Sequence, residues 1–202
     1  MDIVVTRYIG IRGTAILARE KQDELIKRYP LNLVEEAMAF DEGLSGLYLE
    51  GTEDDNKCLI LKDITIAQKS GAVYADEYTE FGIFEALFKM SKVLKCGLRV
   101  NIRDIPIKQE TVEVCELFGV NPYAFYSGAS AVIVCEDGEK TVSLLEEEGI
   151  PAAIVGCTTY EDNDKIVVNS DEQGFLQHIR KDELKNILGR REYYERTNSV
   201  NC

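Results

Sequence analysis

The sequence predicts a layered α/β (α+β) domain, because short β-rich runs and amphipathic helical stretches alternate along its whole length. The chain has 202 residues, of which 45% are hydrophobic and 29% are charged, which is the composition of a soluble globular protein. It contains no proline- or serine-rich linker and no internal repeat. One continuous core of strands and helices is the simplest architecture that satisfies these three observations.

The first predicted elements are a strand, a glycine turn and three helices. The β-rich run 3–6 precedes a glycine turn at 10–14, after which apolar residues recur at helical spacing. Residues 33–40 form a second predicted helix. The apolar run 58–68 is predicted as a third helix, because Gly71 lies just beyond it, where a helix-ending glycine is expected.

The second half of the chain continues the alternation. The predicted strands are 72–75, 98–102, 130–135, 152–158 and 165–169. The predicted helices start at Thr79 or Glu80, at Pro106 and at Glu139, and a last helix runs from Gly174 to about Glu195. A polar tail follows that helix.

The net charge and the length of the apolar runs argue against several classes of partner. The chain has 23 basic and 36 acidic side chains, and its net charge of −13 argues against nucleic acid and anionic membrane surfaces as partners. Its apolar runs are far shorter than the roughly 20 residues that cross a bilayer. The first residues lack the features of a signal peptide, so a cytoplasmic location is expected.

The cysteines do not predict a metal site. Six are present, but none form a C-x-x-C pair, and His178 is the single histidine. Five lie in apolar stretches and are expected to be reduced core residues: Cys58, Cys96, Cys115, Cys135 and Cys157. The acidic clusters 53–55 and 161–164 lack the pattern of a calcium loop and are expected to be solvated turns.

Two segments could hold an anion, because a glycine turn that leads into a helix presents unpaired N–H groups. The first comprises Gly10, Arg12, Gly13 and Thr14, and its alternative interpretation is a plain packing turn. The second is the acidic junction 76–82. The alternative interpretation of this junction is purely structural: Thr79 is a helix N-cap, and Glu80 is a carboxylate in the first helical turn.

The order of several motifs resembles the C-terminal domain of the aminoimidazole ribonucleotide synthetase superfamily. Each segment looks like a family motif, and together they span residues 2 to about 180: the opening strand and turn 2–18, Thr79-Glu80-Phe81-Gly82, Ile105-Pro106-Ile107-Lys108-Gln109-Glu110-Thr111, Cys115-Glu116-Leu117-Phe118-Gly119, Ser127-Gly128 and Ala153-Ile154-Val155-Gly156. The pattern is most similar to the hydrogenase maturation factor (HypE-like) branch. The resemblance implies a layered sandwich with a mixed sheet over residues 1–180, followed by a C-terminal helix and tail over 181–202.

The resemblance also implies an anion or phosphate site. Carried over by position, it comprises the two segments above, with Gly10, Arg12, Gly13, Thr14, Thr79, Glu80 and Gly82. Two positions depart from the family pattern. Asp76-Glu77 stands where the family commonly has His-Asp, and Phe81 stands where it has glycine. A ring and added negative charge at these positions are expected to weaken anion binding.

The family places ATP and magnesium on an N-terminal domain, so the resemblance implies no cofactor for this chain alone. The expected function is that of the C-terminal half of a maturation-factor-like protein; the alternative is a stand-alone binding or regulatory module. The expected partner is a second copy or a separate ATP-binding subunit, docked against exposed Phe81, Ile83 and Phe84. The branch also uses a C-terminal cysteine thiolate, which would correspond to Cys202, although the family's proline-arginine context before it is missing.

Overall fold

The computed structural model describes residues 1–50, 59–78 and 80–188. The strands are β1 (Asp2–Thr6), β2 (Tyr48–Glu50), β3 (Leu59–Leu61), β4 (Tyr74–Glu77), β5 (Gly97–Asn101), β6 (Ala131–Cys135), β7 (Ala152–Thr159), β8 (Lys165–Asn169) and β9 (Glu172–Phe175). The helices are α1 (Ile11–Glu20), α2 (Gln22–Ile26), α3 (Leu31–Met38), α4 (Lys62–Lys69), α5 (Gly82–Leu94), α6 (Gln109–Phe118), α7 (Gly138–Glu147) and α8 (Glu183–Leu188). No helix among these described residues is long and apolar enough to cross a membrane.

Seven strands form one mixed sheet in the order β4-β6-β1-β7-β5-β8-β9. The pairing of β5 with β8 is parallel, and the other pairings in this sheet are antiparallel. Strands β2 and β3 form a separate two-stranded hairpin. The predicted layered sandwich with a mixed sheet is therefore confirmed.

Helices cover the sheet because alternate strand residues face opposite layers. One face packs Ile3, Val5 and Leu98 against Leu87 and Met90 of α5. The opposite face packs Val4, Ile133 and Cys135 against α4 and α7. A third cluster joins α1, α3, α6 and α8 beside the sheet. Leu184 and Leu188 of α8 are buried in that cluster.

Three predicted elements differ from the structure. Residues 59–61 form a strand before α4, because Leu61 pairs with Tyr48 in the small hairpin. Residues 174 and 175, where the predicted last helix begins, belong to strand β9 instead, since a turn with Ser170 at φ 56° folds residues 172–175 back onto β8. The only helical part of the predicted last helix within the described residues is Glu183–Leu188. Pro106 precedes α6 by an extended segment and does not open it.

The topology brings several loops to one edge of the sheet. Strands β1 and β4 both run antiparallel to β6, so their last residues lie beside its first residue. The segments 7–10, 78–82 and 127–130 therefore meet at this edge, which we call the loop edge.

Candidate functional site

The two sequence-predicted anion segments both pack against one chain segment, residues 123–128, at the loop edge. A Cβ at Gly13 in α1 would lie 2.7 Å from the Tyr126 carbonyl oxygen. A Cβ at Gly82, the first residue of α5, would lie 2.5 Å from the Tyr123 carbonyl oxygen. Glycine at both positions therefore allows two helices to pack directly on this segment.

Helix α1 begins earlier than the sequence predicted. Gly10 has φ 71° and directly precedes Ile11, the first helical residue, so Gly13 belongs to the first turn and not to a loop. Thr14 is buried, and its hydroxyl donates to the Gly10 carbonyl at 2.7 Å. The expected turn at 10–14 is thus wrong, because the left-handed Gly10 alone redirects the backbone into the helix.

Three N–H groups at the start of α1, those of Gly10, Arg12 and Gly13, are bonded within the chain. Gly10 donates to the Ser127 Oγ at 2.9 Å, and Arg12 donates to the Ser127 carbonyl at 3.2 Å. Gly13 donates to the Tyr126 carbonyl at 2.8 Å. N–H groups at a helix N-terminus often bind an anion, but these three instead donate to Tyr126 and Ser127 and so fix segment 123–128.

Arg12 lies beneath Gly128 and is only 5% exposed. A Cβ at Gly128 would lie 2.7 Å from the Arg12 Cδ, so the Ser-Gly pair of the motif makes room for this side chain. The Arg12 Nε is buried and has no hydrogen-bond partner among the described residues. Burial raises the pKa of Tyr126, and its hydrogen bond with the Arg12 guanidinium opposes that rise.

The start of α5 also differs from the prediction. The helix begins at Gly82 and not at residue 79 or 80, and Phe81 precedes it with φ 63°. Thr79 lies outside the described residues. Glu80 is exposed in the turn before the helix. Both helices are therefore preceded by a residue with a left-handed backbone conformation, which is Gly10 before α1 and the non-glycine Phe81 before α5.

A carboxylate that sequence analysis missed lies at the start of α5. The Phe81 N–H donates to Asp182 Oδ2 at 3.0 Å, and the Leu184 N–H donates to Asp182 Oδ1 at 2.8 Å. Asp182 is fully buried, and burial raises the pKa of this carboxyl to about 7 although its backbone donors oppose the rise. The aspartate two residues before Leu184 is a recognisable N-cap of α8. Its contact with Phe81 spans 101 residues and leaves no local signal.

Further carboxylates line the outer side of the loop edge. The Glu77 Oε1 accepts from the Ala129 N–H at 2.9 Å, which anchors segment 127–130 to β4. A cavity of about 260 Å³ beside β4 is lined by Asp76, Glu77, Glu80 and Glu85, with Lys89 paired to Asp76 at 2.6 Å. The acidic character expected of this junction therefore extends over the surface around the start of α5.

Phe81, Ile83 and Phe84 do not form the exposed patch that the sequence predicted. Ile83 is fully buried, Phe84 is 8% exposed and Phe81 is half-buried. The Phe84 ring stacks on Tyr123 with centroids 5.1 Å apart. The close approach at Gly82 draws the first turn of α5 inward, so these side chains are covered by the chain itself.

The remaining candidate residues lie away from the loop edge. Cys96, Cys115 and Cys135 are buried free thiols, whereas Cys157 is exposed on β7 and is therefore not a core residue. His178 stacks on Phe88, and its Nε2 lies 3.4 Å from Glu85 Oε2. The cluster 161–164 is exposed as expected. Cys58, the cluster 53–55 and Cys202 lie outside the described residues.

The fold and the order of these segments define the class of protein. The family model "AIR synthase related protein, C-terminal domain" matches residues 2–169, and the chain belongs to this family. The resemblance seen in the sequence is thus confirmed.

Similar proteins include hydrogenase maturation proteins. Carbamoyl dehydratase HypE of Rhodobacter capsulatus is 27% identical over 100 residues, which cover 48% of this chain and 29% of that protein. The crystal structure of Escherichia coli HypE matches 90% of this chain and 51% of its own, with a TM-score of 0.64 and 19% identity. A HypE structure in complex with ATP matches 91% of this chain and 52% of its own, with a TM-score of 0.60 and 12% identity. These structural likenesses establish the fold, and the chain spans about half the length of those solved relatives.

Proposed function

We propose that this domain forms one wall of a composite ATP-dependent site, as the C-terminal half of a HypE-like protein. The observation that carries the proposal is the convergence of both family motifs on the loop edge. There, the starts of α1 and α5 pack on residues 123–128. The motif residues Gly10, Gly13 and Gly82 allow the close packing of this wall. The motif side chain of Glu80 is exposed on it.

We further propose that ATP and magnesium are held by an ATP-binding domain or subunit that completes the site. One solved relative is a HypE structure in complex with ATP. In this chain, the α1 amides are bonded to segment 123–128, and the Phe81 amide is bonded to Asp182. Within residues 1–50, 59–78 and 80–188, no three His, Cys, Asp or Glu side chains are placed so that they could hold one metal ion together. These observations support a nucleotide and metal site that is completed by another domain, and we assign no catalytic step to the described residues.

Calorimetry with Mg–ATP tests this proposal on the chain alone. We expect no heat of binding in the micromolar range. A saturable micromolar dissociation constant would refute it, because the domain would then hold the nucleotide by itself. A variant with Asp182→Asn serves as a comparison, since it replaces the carboxylate at the start of α5 by a neutral amide of similar size.

We also propose that the chain acts with a partner, either a second copy or the ATP-binding subunit. A solved relative is a HypE–HypF complex, which matches 87% of this chain and 52% of its own with a TM-score of 0.59 and 14% identity. The apolar side chains that this chain exposes include Phe175 at 75% and Val93 at 58%. Sedimentation of the purified chain tests the first option, and a monomer at all concentrations would exclude the homodimer.

The second candidate function is a non-catalytic binding or regulatory module. The observation that favours it is the use of the chain's own carboxylates, Glu77 and Asp182, at backbone donors of the loop edge. The free thiols Cys96, Cys115 and Cys135 support the proposed cytoplasmic location. We propose residues 1–180 as the functional domain, and 181–202 as an extension whose terminal Cys202 is a candidate thiol.

A further inference from the structure

A second cavity at the loop edge has the opposite electrostatic character from the acidic one. It measures about 330 Å³ and lies between the end of β1, the turn after α3 and residues 128–130. The described residues that line it include Arg7 and Lys108 but no Asp or Glu. This is notable in a chain with a net charge of −13, because such a chain repels anions over most of its surface.

The walls of this cavity are apolar. Ile11, Phe40, Leu44 and Leu47 contribute aliphatic and aromatic side chains from α1 and from the segment after α3. The floor is the backbone of Gly128 and Ala129, which have φ 74° and 55°. Their N–H groups donate to the Tyr78 carbonyl and to Glu77, so the floor has no N–H left for a ligand.

The two cations at this cavity differ in their partners. Arg7 is bound at 2.9 and 3.1 Å to both carboxylate oxygens of Asp63, which is fully buried, so its charge is neutralised. Lys108 Nζ lies 4.5 Å from the centroid of the Tyr8 ring, and no carboxylate of the described residues lies within ion-pair distance of it. The cavity therefore presents one uncompensated positive charge above an aromatic face.

We propose that this cavity binds a compact ligand with an apolar, planar body and one anionic group, such as a small aromatic carboxylate. The body packs among Ile11, Phe40 and Leu44, and the anion pairs with the Lys108 ammonium. Apolar walls with one placed charge are the usual composition of small-molecule sites. The cavity shares the loop edge with the proposed wall of the nucleotide site, but the test of this ligand does not depend on ATP.

The probes are benzoate, benzamide and benzylammonium, which share a ring and differ in charge. Titration of each into the ¹⁵N-labelled chain is followed through the amide signals of Ile11, Leu44 and Ala129. We expect benzoate to shift these signals with saturation, and benzamide to bind at least about fivefold more weakly, as the loss of one ionic contact implies. Benzylammonium is expected to leave the signals in place.

Lys108→Gln tests the role of the ammonium, and Lys92→Gln is the matched control. Lys92 also lies over an aromatic ring, with its Nζ 5.3 Å from the Phe88 centroid, but on α5 and away from the cavity. We expect Lys108→Gln to weaken benzoate binding at least about fivefold and Lys92→Gln to leave it unchanged. The amide spectrum of each variant reports whether it is folded. Equal affinity of wild type and Lys108→Gln for benzoate, or benzoate shifts confined to other amides, would overturn the proposal.

Discussion

The carboxylate of Asp182 links the starts of two helices, because Oδ2 accepts from Phe81 N–H at 3.0 Å and Oδ1 accepts from Leu184 N–H at 2.8 Å. The first contact reaches the start of α5, and the second closes the first turn of α8. A single buried side chain thus ties the last described helix to the family motif at the loop edge. Removal of this side chain therefore affects the starts of both α5 and α8.

Asp182→Ala is expected to lower the free energy of unfolding by about 2–3 kcal/mol, because it leaves buried backbone donors without their carboxyl acceptor. Urea unfolding measures the change. The control is Asp162→Ala, whose exposed carboxylate makes one ion pair of 3.3 Å with Lys165. That control should change the free energy by less than about 1 kcal/mol. Equal effects of the two substitutions would show that this link does not stabilise the fold.

The pH dependence of stability should carry a component from Asp182. Burial raises the pKa of this carboxyl to about 7 in the folded chain, above the value near 4 expected when unfolded. Between those values the folded state holds more protons, so the free energy of unfolding falls as pH rises from about 4 to about 7. Above that range this component is lost and the curve is flat.

Asp182→Asn isolates this component, because the amide does not titrate. We expect the difference in unfolding free energy between wild type and Asp182→Asn to become less favourable to wild type as pH rises from 5 to 8. The slope is at most about 1.4 kcal/mol per pH unit. Urea unfolding at several pH values provides the measurement. A difference that does not vary with pH would mean that Asp182 titrates at an ordinary pKa.

Gly82→Ala should be strongly destabilising. Gly82 has φ 67°, and a Cβ there would lie 2.5 Å from the Tyr123 carbonyl oxygen and 2.7 Å from the Phe125 nitrogen. Gly149→Ala is the matched control, since Gly149 has φ 72° but no atom within 4 Å of the added Cβ. We expect about 1 kcal/mol for the control from the backbone conformation alone, and about 3 kcal/mol or more for Gly82→Ala. Thermal unfolding of both variants separates the cost of the steric clash from the cost of the left-handed backbone conformation.

Thiol modification should separate the described cysteines by burial. Cys157 is exposed, whereas Cys115 is buried and burial raises its pKa to about 12. Because the thiolate is the reactive form, iodoacetamide at neutral pH should label Cys157 while Cys96, Cys115 and Cys135 stay protected. Peptide mapping by mass spectrometry reads each site separately. Labelling of Cys115 in the folded chain at the rate of Cys157 would contradict the buried position of α6.

Local patterns in the sequence were sufficient for most elements. Strands β1, β5, β6, β7 and β8 were predicted within two residues of their observed bounds, because each is a short β-rich or alternating run between turn residues. The order of the motifs also identified the family and its mixed sheet. These features could be predicted because hydrophobic periodicity and motif order are properties of the linear sequence.

The elements that were missed depend on pairing between distant segments. The run 58–68 is mostly apolar, and only its pairing with Tyr48–Glu50 makes residues 59–61 a strand. The residues of β9 have no marked β pattern and are extended because they pair with β8. Apolar composition alone does not distinguish a buried helix from a strand, so these assignments required the sheet.

The sequence by itself determined the class of fold, the family and the two glycine motifs that start α1 and α5. Only the tertiary structure decided what those motifs do. The sheet topology brings Ser127 to the α1 amides, Glu77 to Ala129 and Asp182 to Phe81, and it covers Phe84 with Tyr123. The physical reason is that a backbone donor is satisfied by whichever acceptor the fold brings within about 3 Å, and residues 52 to 117 positions apart leave no periodic trace of that contact.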